Sequence, residues 1–200
     1  MSPTQKRLIG LTGGIATGKS TVSRYLAERY GLPILDADVY AREAVKLGSP
    51  ILEQIFSRYG NQVQFPDGTL NRKELGEIIF NNSEEKVWLE NQIHPYVRAC
   101  FKKEIDQSKN DTLVLVIPLL FEAKLTHLVT EIWVVYCSDD AQIKRLKERD
   151  NLTDEQAKAR IKNQLPIEQK VAAADLVLDN SSDLNSVFRQ IDQAIKINDE

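Results

Sequence analysis

The sequence predicts an α/β fold of three layers, a parallel sheet with helices on both faces, carrying two helical insertions. Three observations point there. The runs at 113–117 and 132–136 are β-rich and apolar without alternation, as expected of strands covered on both faces. Strand-like and helix-like segments follow one another along the chain, which favours parallel pairing through crossover connections. A glycine-rich stretch, residues 13–18, lies between the first strand signal and the first helix signal, at a carboxyl end of the sheet where such folds bind ligands.

The first strand is the short apolar run 7–12. After the glycine-rich stretch, Val22, Tyr25, Leu26 and Tyr30 share one helical face, and Gly31 with Pro33 beyond it stops the helix. Residues 32–35 read as a second strand, followed by Asp36 and Asp38. Ser49 as cap and Pro50 in the first turn open a helix with Ile51, Leu52, Ile55, Phe56 and Tyr59 at helical spacing, ended by Gly60. Pro66-Asp67-Gly68 makes a turn, and Asn71 with Glu74 resembles a capping box before Leu75, Ile78 and Ile79. Another helix starts at Ser83, and His94-Pro95 is expected to bend or break it before a last stretch through Phe101 and Ile105. The apolar run 113–121 reads as a buried strand. Residues 139–169 are polar, helical and charge-rich, 175–178 form the last strand, and 183–197 the closing helix. The core therefore covers about 6–48, 111–138 and 171–200, with insertions at about 49–110 and 139–170 in a single domain.

Composition narrows the function by exclusion. Over 200 residues, 42% hydrophobic and 28% charged content is ordinary for a soluble globular protein. A formal charge of -3 and a pI near 5.6 argue against a general nucleic-acid binder. Cys100 and Cys137 are far apart, as are His94 and His127, so neither a zinc signature nor a disulfide framework is present in the pattern. The polar N-terminus and the short apolar runs predict neither a signal peptide nor a membrane span. The expectation is a cytoplasmic protein, monomeric or weakly homo-oligomeric, with no nucleic-acid or membrane partner.

Residues 13–20 read Gly-Gly-Ile-Ala-Thr-Gly-Lys-Ser, a complete G-x-x-x-x-G-K-[ST] loop. A chance match somewhere in such a chain has a probability of about one per cent or less, and the strand and helix flanks lower it further. The fold predicted is thus a P-loop NTPase fold. Gly13, Gly14, Ile15, Ala16, Thr17, Gly18, Lys19, Ser20 and Thr21 are expected to hold ATP through loop amides and a helix N-terminus. Lys19 would reach the transferable phosphates, and Ser20 would offer its hydroxyl to Mg²⁺.

No guanine-specificity motif occurs, and the strand from 113 ends in Pro118-Leu119-Leu120-Phe121-Glu122 without the aspartate that typical NTPases use for the metal. Asp36 and Asp38 are the candidates instead, one binding metal-coordinated water and the other orienting an acceptor hydroxyl; which does which is open. An aspartate before a helix also serves as an N-cap. The basic segment after Cys137 reads either as a solvated face or as a mobile lid whose Arg145 or Arg149 neutralises transition-state charge.

With those residues in place the chain resembles the dephospho-coenzyme A kinase family. The resemblance rests on residues 10–15 running into the P-loop, Asp36-Ala37-Asp38 with Ala41-Arg42, Gly68-Thr69-Leu70-Asn71-Arg72, His94-Pro95, Pro118-Leu119-Leu120-Phe121-Glu122 and Ala174-Asp175. It implies a kinase with a helical coenzyme-A-binding insertion and a helical lid, using Mg²⁺ and taking ATP and dephospho-coenzyme A. It further implies Asp38 as catalytic base or acceptor-orienting group, Thr12, Asp36, Arg42, Arg72, His94, Pro118 and Leu119 at the acceptor, and Arg149 in the lid. Ala16-Thr17 stands where the family more often has Gly-Ser, a change expected to be tolerated, and Asp179-Asn180-Ser181 departs from the usual Asn-Asn-Gly, which weakens Asn180 as an adenine contact. Kinases of the shikimate or gluconate type, and a nucleotide-dependent switch, are the rival readings.

Overall fold

The computed structural model describes residues 6–196. The chain divides into two compact units, one made of the residues up to Leu35 together with those from Ser108 onward, the other of Asp36–Gln107.

The first unit is built on β1 (Arg7–Gly13), α1 (Lys19–Tyr30), β2 (Ile34–Asp36), β3 (Thr112–Val116), β4 (Glu131–Tyr136), α6 (Asp139–Asp150), α7 (Asp154–Lys162), α8 (Ile167–Ala172), β5 (Leu176–Asp179) and α9 (Leu184–Lys196), the intervening helices belonging to the second unit. The sheet order is β2-β3-β1-β4-β5, and β1 pairs in parallel with both β3 and β4. Leu113 to Ile117 are all buried, and so are Trp133, Val134 and Val135, which is why their sequences lack alternation. With β1 central and its neighbours parallel, the carboxyl ends of β1, β3, β4 and β5 share one edge.

The apolar run expected to be strand as far as 121 stops being strand after Val116. Pro118 cannot donate to a ladder, and Leu120 N–H turns back to the Ile117 carbonyl at 3.2 Å. Its hydrophobicity serves a buried turn instead, since Leu120 is fully buried. Helix α9 packs on α1: the Tyr25 and Tyr30 hydroxyls both donate to Asp192 Oδ1, at 2.8 and 2.7 Å, and Tyr25 stacks on Phe188 with ring centroids 4.0 Å apart. Burial and the Asp192 carboxylate push the Tyr30 hydroxyl up to about 12. Of the closing helix expected over 183–197, position 197 lies outside the described residues.

The second unit holds α2 (Ala37–Ala44), α3 (Pro50–Tyr59), α4 (Arg72–Asn81) and α5 (Ser83–Gln107). The starts of α3, α4 and α5 are where the sequence put them. Ser49 Oγ accepts from Leu52 N–H at 3.1 Å and Asn71 Oδ1 from Glu74 N–H at 3.2 Å. Ala44, Leu52, Ile55, Leu75 and Leu89 form a core of their own. Arg58 pairs with Glu85 and lies 4.7 Å over the Trp88 ring, and Tyr59 donates to the same carboxylate at 2.6 Å, which joins α3 to α5.

The break expected at His94-Pro95 does not occur. Helix α5 runs 25 residues with Pro95 inside it. Pro95 is exposed and costs one backbone bond, while Leu89, Val97 and Phe101 keep one buried stripe on both sides of it. Packing of that stripe outweighs the local preference. The helical unit spans Asp36–Gln107, so Asp38 and Arg42 stand on its first helix.

Candidate active site

Strand β1 delivers the glycine loop to the sheet edge, and α1 leaves it. Gly18 is in the left-handed region at φ 106, and a Cβ there would lie 2.2 Å from Asn180 Nδ2, so only glycine fits. Thr17 is buried, its hydroxyl donating to the Gly14 carbonyl at 2.9 Å. Ala16 takes φ 59, a left-handed conformation that costs a non-glycine residue about 1 kcal/mol. The change from Gly-Ser to Ala16-Thr17 is accommodated at that cost, the alanine itself adopting the left-handed conformation.

The N-terminus of α1 has no capping side chain and no acidic residue in its first turn. In contrast, Asp36, Ser49, Asn71 and Thr153 each cap a helix with a side-chain oxygen. The positive end of α1 thus keeps amide donors for an anion arriving at the loop. Lys19 Nζ donates to the Gly13 and Gly14 carbonyls, at 3.2 and 2.7 Å, which stations the ammonium at the loop mouth. Ser20 is exposed and Thr21 half-buried in the first turn of the helix.

Other expected residues of this unit sit differently. Thr12 is fully buried and donates to the Pro118 carbonyl at 3.2 Å, tying the ends of β1 and β3 into a corner beside which Leu119 is exposed. Arg145 donates from Nη2 to the Asn180 carbonyl at 2.9 Å, with Nη1 buried and unpartnered. Arg149 forms a two-point ion pair with Asp150, at 2.8 and 3.0 Å, and Arg160 joins the same carboxylate. The Arg149 guanidinium in turn holds the Asp150 carboxyl below its ordinary value.

In the helical unit, Asp36 Oδ1 accepts from Asp38 N–H at 2.8 Å, so the N-cap role of Asp36 is realised. Asp38 is exposed in the first turn of α2. Arg42 and Arg72 are brought together: both are exposed, and Arg72 Nη2 donates to the Arg42 carbonyl at 3.3 Å. Two guanidinium-bearing residues side by side in solvent suit an anionic ligand. His94 is half-buried in the middle of α5.

The sequence reading missed Gln142, Gln164 and one ion pair, and named Asn180 only as a weakened adenine contact. Asn180, at the end of β5, is buried and donates to the Thr17 carbonyl at 2.8 Å, so it supports the loop. Gln142 and Gln164 both bond Ile15. Lys170, fully buried on α8, lies 2.7 Å from Glu122 Oε1. Burial pushes the Glu122 carboxyl up, but Lys170 and the Leu165 N–H outweigh it and hold it below its ordinary value. Neutral amides have no spacing signature; the family resemblance alone drew attention to Asn180, and for a different role.

The family model described as dephospho-CoA kinase matches residues 7–186. A dephospho-CoA kinase of Trichormus variabilis is 60% identical over 190 residues, covering 95% of this chain and 97% of that one. Among solved structures, one from Thermus thermophilus superposes with a TM-score of 0.85 at 30% identity, covering 96% of this chain and 97% of its own. The dephospho-CoA kinase of Campylobacter jejuni gives a TM-score of 0.70 at 32% identity, with 94% and 95% covered.

Proposed function

The chain belongs to the dephospho-CoA kinase family, and we propose that it transfers the γ-phosphate of ATP to the ribose 3'-hydroxyl of dephospho-coenzyme A, giving coenzyme A and ADP. The observation that carries the donor half is the uncapped N-terminus of α1 behind a glycine loop, with the Lys19 ammonium already at its mouth. Phosphoryl transfer has a loose transition state in most analyses, so positioning and charge neutralisation outweigh proton abstraction. Lys19 exchanges the Gly13 and Gly14 carbonyls for phosphate oxygens. A lid arginine completes the neutralisation, and for Arg149 that requires leaving Asp150.

On the acceptor side, Asp38 takes or orients the attacking hydroxyl, and Arg42 with Arg72 holds anionic groups of dephospho-coenzyme A. Among the described residues, no group of three or more His, Cys, Asp or Glu could hold a metal by itself. Mg²⁺ is bound through one or two protein groups, waters and substrate phosphates, and Ser20 Oγ with Asp36 or Asp38 would be this chain's contributions. When bound, the ion neutralises charge building on the phosphates.

The test is ADP formation from Mg-ATP with dephospho-coenzyme A, shikimate, gluconate or no acceptor. Stimulation by dephospho-coenzyme A alone is expected, and its absence would sink the assignment.

A further inference from the structure

Ile15, at the apex of the loop, is gripped at both backbone groups by glutamines of the basic helical segment. Its N–H donates to Gln164 Oε1, from the connection between α7 and α8, at 2.7 Å. Its carbonyl accepts from Gln142 Nε2, in the first turns of α6, also at 2.7 Å. Gln142 is 3% exposed and lies so close over the loop that a Cβ on Gly14 would meet its Nε2 at 2.6 Å.

The direction of these bonds has a consequence through peptide planarity, because the C=O and N–H of a trans peptide point opposite ways. With Ile15 N–H turned to Gln164, the Gly14 carbonyl faces the other way, where it meets Lys19 Nζ and the Thr17 hydroxyl. With the Ile15 carbonyl turned to Gln142, the Ala16 N–H faces away from Gln142. Ala16 holds that orientation at φ 59, against its own preference. Gln164 is itself fixed from below, since the next N–H, of Leu165, donates to Glu122 Oε1 at 3.0 Å and Glu122 is paired with the fully buried Lys170.

We propose that Gln142 and Gln164 are positioning residues for the nucleotide, gripping Ile15 so that the Ala16 N–H is aimed at the phosphates and the loop moves with the α6–α8 segment. The proposal rests on the ATP-binding reading of the loop. Neither side chain needs to touch ATP. Losing one grip frees one peptide plane, which is worth about the net value of one hydrogen bond, or roughly tenfold in affinity.

The full-length Gln164→Ala and Gln142→Met chains would be titrated calorimetrically with the non-hydrolysable analogue AMP-PNP and Mg²⁺, methionine being chosen to keep the buried volume filled. About tenfold weaker binding is expected in each, with the KM for dephospho-coenzyme A within twofold of native, a split that loss of folded protein does not produce. Analogue affinities within twofold of native in both chains would overturn the proposal, and Gln164→Ala decides alone if Gln142→Met does not fold. A native chain that binds the analogue but does not phosphorylate dephospho-coenzyme A would overturn the function instead and leave this comparison standing.

Discussion

Around the phosphate loop the supporting side chains are hidden, Thr17, Gln142 and Asn180 being 1%, 3% and 2% exposed, whereas Asp38, Arg42 and Arg72 of the helical unit stand in solvent. The first region is shaped by packing: its donors are mostly backbone amides, and their directions are set by buried neighbours. The second is a set of charges at helix ends, two of them guanidinium-bearing neighbours. A group held by packing is preorganised and costs little to use at the moment of reaction. A group displayed in solvent pays for ordering when the ligand arrives, so on the proposed function its value should show in the acceptor's binding or turnover and not in nucleotide affinity. The two regions should therefore fail in different ways.

Lys19→Ala is expected to give the largest effect, a fall in kcat of at least about 10³-fold, because it removes the mobile charge of the preorganised side. Near-normal turnover in that variant would break the contrast outright. Asp38→Asn should lower kcat by about 10²-fold with AMP-PNP affinity near native, and a folded variant with normal kcat would remove Asp38 from the mechanism. Asn180→Ala strips the Thr17 carbonyl of its buried partner, so both thermal stability, by about 1–3 kcal/mol, and ATP affinity should fall together. Arg72→Ala should instead raise the KM for dephospho-coenzyme A about tenfold while leaving Tm and the KM for ATP unchanged. A Tm loss in Arg72→Ala matching that of Asn180→Ala would erase the distinction.

The smallest effect concerns pH and belongs to the helical unit alone. Hydrogen bonds from Arg58 and Tyr59 hold the Glu85 carboxyl at about 2, against an ordinary 4.5. A depressed folded value means stability that is full above 4.5 and lost as pH falls from there toward 2. Acid unfolding followed by Trp88 fluorescence should show this component in the native chain. An identical acid transition in Glu85→Gln would show that the α3–α5 link contributes nothing measurable.

Local signals made much of this molecule legible. The loop motif, the Ser49-Pro50 start of α3 and the unalternated β3 and β4 depend on near neighbours in the chain, and sequence displays those directly. Pro95 was misleading because its local cost is decided by a buried stripe spanning residues 89–101. The end of β3 was misread because burial and extension are different properties, and Ile117 and Leu120 share the first without the second. Gln142, Gln164 and Asn180 could not be found by type: an amide side chain acquires its role here only from what tertiary packing puts within 3 Å of it.

The contact between Asn180 and Thr17 also has a meaning in time. Its two members are 163 residues apart, so a ribosome that has finished the loop must work for on the order of ten to thirty seconds before Asn180 is made. Helix α9, which holds α1 through Asp192, is translated later still. The nascent loop therefore waits, without Asn180, while that stretch of chain is made, and competence to grip nucleotide should switch on abruptly as β5 and α9 emerge. Stalled nascent chains ending before and after Asn180 would differ in nucleotide retention for this reason, although both contain every residue of the phosphate loop.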